Sequence, residues 1–284
     1  MPMHPLVTPA RLHELLQSSR PPLVFDCSWH MPSERRDAQA EFLAAHIPGA
    51  QFFDFDGAIS DRASSLPHML PDDALFTSEA RRLGLGSDSR VACYDSLGIF
   101  TAPRGWWMLR AMGCEQVQVL DGGLPAWRKQ GLPLAQGEPD ARGEGDFTAR
   151  LQPGWAATSQ SVQATIEDPN TCILDARSGE RFRGEVKEPR PQLRSGHIPG
   201  SRNLHYQALL RRGRYKSGEE LEKLFARYAA PEQKIITTCG SGVTACILAL
   251  GAMLAGYQPP AVYDGSWSEW GDRESSLPVA KGAG

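Results

Sequence analysis

One cysteine of the chain stands in a setting that suits sulfur chemistry. Cys239 follows the apolar run Lys234–Thr238 and precedes the letters Gly-Ser-Gly-Val-Thr, after which a second apolar run begins. A strand, a glycine-bearing turn and a helix N-terminus place successive backbone N–H groups, and the positive end of a helix dipole, around such a thiol. These groups stabilise a thiolate, the nucleophilic form of cysteine. Gly240 and Gly242 let the backbone curl without Cβ clashes, so the pattern predicts a nucleophile in an anion-binding loop.

Two alternatives compete with this interpretation. A free cysteine buried at the end of a strand is the usual structural role of a lone cysteine. A cysteine phosphatase shares the strand, loop and helix, but it needs an arginine six positions after the cysteine to bind phosphate. That position is Ala245 here, which excludes the phosphatase. The glycine-rich loop favours a reactive cysteine over a structural one.

The elements that must position this loop occur twice in the sequence. Four landmarks recur in the same order at a spacing of roughly 150 residues, which indicates a duplicated domain. The matched segments are Val24–Cys27 with Ile173–Ala176, Ala45–Ala50 with Gly196–Ser201, Val91–Asp95 with Ile235–Cys239, and Asp121–Trp127 with Asp264–Trp270.

Each repeat alternates short apolar strands with longer helical patterns, which predicts a parallel sheet covered by helices on both faces. In the second repeat the predicted strands are Cys172–Asp175, Lys234–Thr238 and Ala261–Asp264, and the predicted helices are Gly218–Tyr228 and Ala245–Gly256. We therefore predict two similar α/β domains at 1–140 and 156–284, joined by a linker at 141–155. Asp95 stands where the second repeat has its cysteine, so we expect the first domain to be non-catalytic.

Several motifs together point to a known family. They are the two His-Ile-Pro-Gly turns, the run Ala102–Trp107, the loop Cys239–Thr244 and the run Asp264–Trp270. With these motifs in paired domains, the chain resembles the two-domain rhodanese superfamily from about Leu6 to Val279. Thiosulfate sulfurtransferases of this superfamily carry two basic residues after the cysteine, which suit a dianionic donor. This chain has Gly240 and Ser241 there, the pattern of the mercaptopyruvate sulfurtransferase branch.

The resemblance implies tandem rhodanese-like domains and an enzyme that works by double displacement. Sulfur would pass from 3-mercaptopyruvate, a small 2-oxo thioacid, through a persulfide on Cys239 to a thiophilic acceptor, and pyruvate would be released. The acceptor would be a small thiol, cyanide or reduced thioredoxin, and no metal or organic cofactor is expected. The alternatives are a thiosulfate sulfurtransferase, separable by its donor preference, and a non-enzymatic persulfide carrier.

The resemblance also assigns substrate contacts. Arg181 and Arg190 match the family's substrate arginines and keep the local sequences Arg-Phe and Glu-Pro-Arg. Arginine forks suit both a carboxylate clamp and the stabilisation of a pyruvate enolate. Further contacts are expected from the loop residues Gly240, Gly242, Val243 and Thr244. We expect the neighbouring cations Arg183, Lys187 and Arg194 to be solvated surface charges.

Mercaptopyruvate enzymes have also been suggested to use a Ser-His-Asp arrangement, and the family motifs locate its members here. The serine would be Ser241, the histidine His68 and the acid Asp56, with Asp61 as a competing choice. Such a chain would polarise the thiol or the carbonyl of the substrate. The alternative is that His68 merely caps a turn.

Other residues are expected to be structural. His46 and His197 lie in matched turns of both repeats although only one repeat has the nucleophile, and Cys246 falls on the apolar helix. Trp127 and Trp270 are repeat-matched, which favours core packing. A Cys-x-x-His pair at Cys27 has no second ligand pair, so no zinc site is predicted.

Composition limits the partners and the compartment. The net charge is −3 and the pI about 6.2, so there is no electrostatic reason to expect nucleic acid or an anionic membrane as a partner. The longest apolar run, Ala245–Tyr257, is too short to span a bilayer, and the N-terminus lacks the features of a signal peptide. Six cysteines without a paired framework predict a cytoplasmic enzyme with reduced thiols.

Overall fold

A computed structural model describes residues 3–283, which divide into two compact units. Unit 1 comprises residues 3–62, 70–152 and 212–215, and unit 2 comprises residues 63–69, 153–211 and 216–283. Two short segments therefore belong to a different unit from their sequence neighbours. One of them, 63–69, carries His68 into the unit that holds Cys239. The part of the predicted linker that precedes Pro153 packs in unit 1, where Phe147 is buried and its carbonyl accepts the Arg81 Nε–H.

The strands and helices of unit 1 are β1 (Leu6–Val7), α1 (Pro9–Leu16), β2 (Leu23–Asp26), α2 (Ala38–Ala44), β3 (Ala50–Phe52), α3 (Asp73–Arg82), β4 (Val91–Tyr94), α4 (Ala102–Ala111), β5 (Val117–Leu120), α5 (Gly123–Lys129) and the short β10 (Arg214–Tyr215). Those of unit 2 are β6 (Ala156–Ala157), α6 (Ser159–Ala164), β7 (Thr171–Asp175), α7 (Gly179–Arg183), β8 (Arg202–Asn203), β9 (Leu210–Arg211), α8 (Gly218–Phe225), β11 (Lys234–Thr238), α9 (Ala245–Leu254), β12 (Ala261–Tyr263) and α10 (Ser266–Trp270).

The two units contain the same five-stranded parallel sheet. Unit 1 has the strand order β1-β5-β4-β2-β3 and unit 2 has β6-β12-β11-β7-β8, so each strand of one sheet has a counterpart in the other. All pairings within these sheets are parallel. Register is matched as well, because Asp26 pairs with Tyr94 in unit 1 and Asp175 pairs with Thr238 in unit 2. The predicted duplication and the α/β fold with helix-covered parallel sheets are confirmed.

Local sequence explains where the helices of unit 2 begin and end. Helix α8 starts with a capping box, in which Ser217 and Glu220 each accept the other's backbone N–H. Helix α9 is buried almost all round, as expected for an apolar helix packed on a sheet. Both helices end two or three residues earlier than predicted. For α9, Gly256 with φ +89° adopts a left-handed conformation that cannot continue the helix.

The cores of the two units repeat each other. Trp127 and Trp270 are fully buried, and each donates its indole N–H to a proline carbonyl, that of Pro133 or Pro278. The expectation that these tryptophans pack in the core is confirmed. Over the part of the chain that the structure describes, no helix is long and apolar enough to cross a membrane.

Candidate active site

The fold places Cys239 at the carboxyl end of the central strand of its sheet. Strand β11 ends at Thr238, and Cys239 follows it with only 2% of its surface exposed. The neighbouring strand β7 ends in register at Asp175, so the residues after both strands emerge at the same edge. Ligand sites of parallel α/β sheets form outside such an edge.

A serine that the sequence analysis missed holds the cysteine loop in shape. Ser266 Oγ accepts the backbone N–H of Cys239 at 3.2 Å and that of Gly242 at 3.1 Å, and it donates to the carbonyl of Tyr263 at 2.7 Å. The backbone N–H groups of Cys239 and Gly242 are therefore both bound to Ser266. Gly242 keeps a conformational role, since its φ of +76° favours glycine.

Four other amides of the loop stay available. Within residues 3–283, no hydrogen bond is formed by the backbone N–H groups of Gly240, Ser241, Val243 and Thr244. We call these four groups the amide cradle. Backbone N–H groups without an intramolecular partner, grouped beside a thiol, can donate to a ligand or to an anionic sulfur.

Ser266 occupies its position under strain. Its φ is +48°, a left-handed value that is unfavourable for residues with a β-carbon. The matched residue of the first repeat is Gly123, with φ +52°. A strained residue persists when its surroundings fix it, and such residues cluster at functional sites. The sequence shows this difference, because the second repeat has Asp-Gly-Ser where the first has Asp-Gly-Gly. The role of the serine depends on the contacts of its hydroxyl, which only the structure gives.

Arg181 borders Gly240, and Arg190 is linked to Gly240 through the Ser268 hydroxyl. A β-carbon added to Gly240 would lie 3.3 Å from Arg181 Nη2. On another side, Arg190 Nη1 donates to Ser268 Oγ at 3.1 Å, and that hydroxyl donates to the Gly240 carbonyl at 2.7 Å. The structure thus brings Arg181, Arg190 and the loop together, as the resemblance implied.

A buried chain of alternating charges supports Arg181. Glu188 bridges two arginines: Oε2 contacts Arg181 Nη2 at 2.5 Å and Oε1 accepts from Arg177 Nη1 at 2.9 Å. Arg177 also binds the Asp175 carboxylate at 2.7 Å, and its guanidinium stacks 4.3 Å from the ring centre of Trp267. Burial lowers the pKa of Arg177, but the two carboxylates outweigh it and raise that pKa. Sequence reasoning missed Asp175, Arg177 and Glu188.

The proposed triad residues are located in both units. His68 is 4% exposed, lies in unit 2 and has a φ of +62°. Asp56 lies in unit 1, where its Oδ2 accepts the indole N–H of Trp29 at 2.9 Å. Asp61 belongs to unit 1 as well, and Ser241 is half-buried in the cysteine loop of unit 2. The triad stays a prediction.

In unit 1 the backbone N–H groups of the matching loop bind a side chain of the loop itself. The Asp95 carboxylate accepts five backbone N–H groups, all at 2.9 Å. The donors are Leu97, Gly98, Phe100, Thr101 and Ala102. A loop built to surround an anion therefore holds the chain's own carboxylate, which explains how unit 1 keeps the loop without the cysteine.

Two histidines and one arginine that were expected to lie outside the site are all at least partly buried. His46 and His197 are buried and structural as predicted, since Nδ1 of each lies 2.8 Å from a backbone carbonyl, of Phe42 or Phe182. Arg194 is not a solvated charge: its guanidinium donates to the carbonyls of Gly271, Trp270 and Leu277, which the chain's C-terminal part brings around it.

Arg183 and Cys246 fit their predictions. Arg183 pairs with Glu185 at the surface, as expected. Cys246 is buried in α9, where its thiol donates to the Gly242 carbonyl. All six cysteines are free. Among the described residues no group of three or more metal-binding side chains occurs.

Comparison with known proteins identifies the family. The rhodanese-like domain family matches residues 8–130 and again residues 158–273. The chain belongs to the rhodanese family. It is 43% identical over 258 residues to 3-mercaptopyruvate sulfurtransferase of Homo sapiens, a match that covers 89% of this chain and 86% of that protein. It is 42% identical over 251 residues to thiosulfate sulfurtransferase of Gallus gallus, covering 87% and 85%.

A solved structure gives the same result. The Escherichia coli protein SseA, described as a 3-mercaptopyruvate sulfotransferase with the rhodanese fold, superposes with a TM-score of 0.84 at 37% identity, covering 94% of this chain and all of that one. These rhodanese relatives share sulfur transfer as their activity and differ in the donor that their names give. The predictions of an enzyme and of the sulfurtransferase class are confirmed.

Proposed function

We propose that this rhodanese moves sulfur from 3-mercaptopyruvate to a thiophilic acceptor through a persulfide on Cys239. The observation that carries the proposal is the convergence on one loop of a thiol, four unpaired amides and two arginines. The amide cradle suits an anionic sulfur, Arg181 lies next to Gly240, and Arg190 is linked to Gly240 through Ser268. A persulfide carrier without a substrate would have no use for this pair of arginine forks.

The first half-reaction would form the persulfide. The Cys239 thiolate attacks the sulfur of the donor, an S–S bond forms, and the C–S bond of the donor breaks. Its electron pair goes to the enolate of pyruvate, which Arg181 and Arg190 stabilise together with the carboxylate. The proton of the donor thiol ends on the enolate carbon, giving pyruvate. Ser241, His68 and Asp56 would assist by polarising the donor.

The second half-reaction would return the enzyme to its starting state. A thiolate of a small thiol or of a reduced thioredoxin, or cyanide, attacks the outer sulfur of the persulfide. The S–S bond breaks and its electron pair stays on Cys239, whose thiolate lies beside the amide cradle once more. All six cysteines are free, which suits a reducing compartment such as the cytoplasm.

A thiosulfate donor is the second candidate, because one curated relative carries that name. Gly240 and Ser241 favour mercaptopyruvate, since neither supplies a cation for the sulfonate of thiosulfate. Arg181 and Arg190 can hold the single carboxylate of mercaptopyruvate. The two donors differ in their leaving groups, which are the enolate of pyruvate for mercaptopyruvate and sulfite for thiosulfate.

The test combines a variant with mass spectrometry. After treatment with 3-mercaptopyruvate, the peptide that contains Cys239 should gain one sulfur atom, and the Cys239→Ser variant should gain none and should not turn over. A hydroxyl is a far poorer nucleophile and cannot store sulfur as a persulfide. The variant should keep the thermal unfolding of the wild type. Extra sulfur on Cys246 or Cys93 instead of Cys239 would overturn the assignment.

A further inference from the structure

The two units differ at one position that is otherwise matched in geometry. In unit 2, Arg177 follows the strand-end Asp175 by two residues and donates its backbone N–H to that carboxylate at 2.9 Å. In unit 1, Ser28 follows the strand-end Asp26 in the same way and donates its N–H to it, also at 2.9 Å. The backbone turn is the same, but the arginine side chain is replaced by a serine.

A cavity stands where that arginine side chain is missing. Unit 1 contains a cavity of about 430 Å³ lined by Asp26, Ser28, Ala45, Ser96 and Leu124. By the repeat alignment these residues match Asp175, Arg177, Gly196, Gly240 and Trp267 of unit 2. In unit 2 the Arg177 guanidinium binds the Asp175 carboxylate and the Gly196 carbonyl and stacks on Trp267. Gly240 belongs to the cysteine loop.

The cavity keeps hydrogen-bond acceptors like those that bind Arg177 in unit 2, but unit 1 has no arginine at the matched position. Asp26 is only 2% exposed and forms no ion pair among residues 3–283, although the Ser28 amide and the Tyr94 hydroxyl donate to it. Burial raises the pKa of Asp26 to about 6, with a smaller contribution from the nearby Asp95 carboxylate. Ser96 Oγ is a second buried acceptor, and it makes no hydrogen bond within the described chain.

The mouth of the cavity carries one ion pair and one further cation. Arg36 and Glu41 pair with each other at 2.6 Å and 2.8 Å, while Arg128 is exposed at the same rim. The unmatched acceptors therefore lie at the bottom of the cavity, around Asp26. A buried carboxylate next to an open cavity is stabilised by a bound cation that can donate hydrogen bonds.

We propose that this cavity binds a small organic cation with a guanidinium or amidinium head, which takes the place that Arg177 fills in unit 2. The planar head would lie over Leu124 and donate to the Asp26 carboxylate, the Ala45 carbonyl and Ser96 Oγ. All of its residues belong to unit 1, and none of them is among those proposed for sulfur transfer at Cys239. It gives the non-catalytic unit a ligand-binding activity.

The experiment measures binding of methylguanidinium to the full-length chain by calorimetry and by the shift in melting temperature. Wild type should bind saturably at millimolar concentration, and tetramethylammonium, which has the charge but no N–H donors, should bind at least about tenfold more weakly. Ser28→Arg should fill the cavity with its own guanidinium and weaken methylguanidinium binding at least about tenfold. Asp26→Asn should lose binding, and Asp88→Asn, an exposed acid of unit 1, should keep it.

Turnover of a sulfur donor by Ser28→Arg, unchanged from wild type, shows that the variant is folded. A crystal of the wild type soaked in methylguanidinium locates the ion without any variant. No saturable binding, equal binding by Ser28→Arg and wild type, or an ion located away from Asp26 would each overturn the proposal.

Discussion

The hydroxyl oxygen of Ser266 lies 3.2 Å from the backbone nitrogen of Cys239, and it accepts the N–H of that residue. The two residues are far apart in sequence, and the contact forms because β11 and β12 are neighbours in the sheet. The same oxygen accepts the Gly242 N–H, so one side chain fixes both ends of the turn after the cysteine. We therefore expect Ser266 to act as a positioning residue, which holds the turn in shape while the four amides of the cradle keep no intramolecular partner.

Replacing Ser266 should separate the shape of the loop from the stability of the fold. Ser266→Ala removes the acceptor from two buried N–H groups and should cost about 1–3 kcal/mol of unfolding free energy. Ser266→Gly removes the same acceptor but relieves the left-handed strain, so it should be more stable than the alanine variant by about 1 kcal/mol. Both variants should lose kcat/KM by a similar factor, at least about tenfold, because both lack the hydroxyl. Activity that follows stability instead, with glycine close to wild type, would contradict the positioning role.

Asp95 offers a test of what the loop geometry is built to hold. Asp95→Ala leaves five backbone N–H groups without their acceptor, and it should destabilise unit 1 by at least about 3 kcal/mol. Sulfate should restore part of this stability in the variant by entering the vacated loop. The free energy of unfolding is measured by chemical denaturation of wild type and variant, each with and without sulfate. The wild type serves as the control for the general stabilising effect of sulfate. Equal responses of the two proteins to sulfate would show that the loop holds Asp95 but not a free anion.

Glu188 should control the donor step through Arg181. Glu188→Gln keeps the shape of the side chain but removes a buried charge between two arginines, which should cost about 3–5 kcal/mol of stability. Arg181 loses its fixed orientation, so KM for the donor should rise while the rate of the acceptor half-reaction stays unchanged. The matched control is Glu185→Gln, because Glu185 forms an exposed ion pair with Arg183 that contributes little to stability. If both variants shift KM equally, the buried pair has no role in placing Arg181.

The fold could be predicted from the sequence because its signals are local. Strand β11 has the predicted bounds, and the duplication follows from landmarks that the two repeats share. The supporting residues of the site could not be predicted in this way. Ser266 and Glu188 act on atoms that only the folded sheet brings near, and Arg194 turned out to be partly buried because carbonyls from the end of the chain surround it. Residue type alone does not distinguish these buried groups from surface ones.

Gly240 lies next to Arg181, which limits how the donor preference can be changed. A side chain at this position meets Arg181 Nη2 at 3.3 Å from its first carbon, so an arginine there would repel and displace the proposed substrate arginine. Ser241 is half-buried beside it. A cation introduced at Ser241 alone therefore tests the loop without placing a side chain against Arg181.

We expect the wild type to prefer mercaptopyruvate over thiosulfate by at least about tenfold in kcat/KM, a difference of about 1.4 kcal/mol in transition-state binding. Its loop supplies backbone donors but no cation for the sulfonate of thiosulfate. Ser241→Lys should shift the ratio toward thiosulfate, and the shift should shrink with added salt because it is electrostatic. Ser241→Met introduces a side chain of similar length without a charge and is the matched control. It should not shift the ratio of the two kcat/KM values toward thiosulfate. Steady-state rates with both donors, at low and high salt, make the comparison. A wild type that turns over thiosulfate as well as mercaptopyruvate would favour the thiosulfate sulfurtransferase instead.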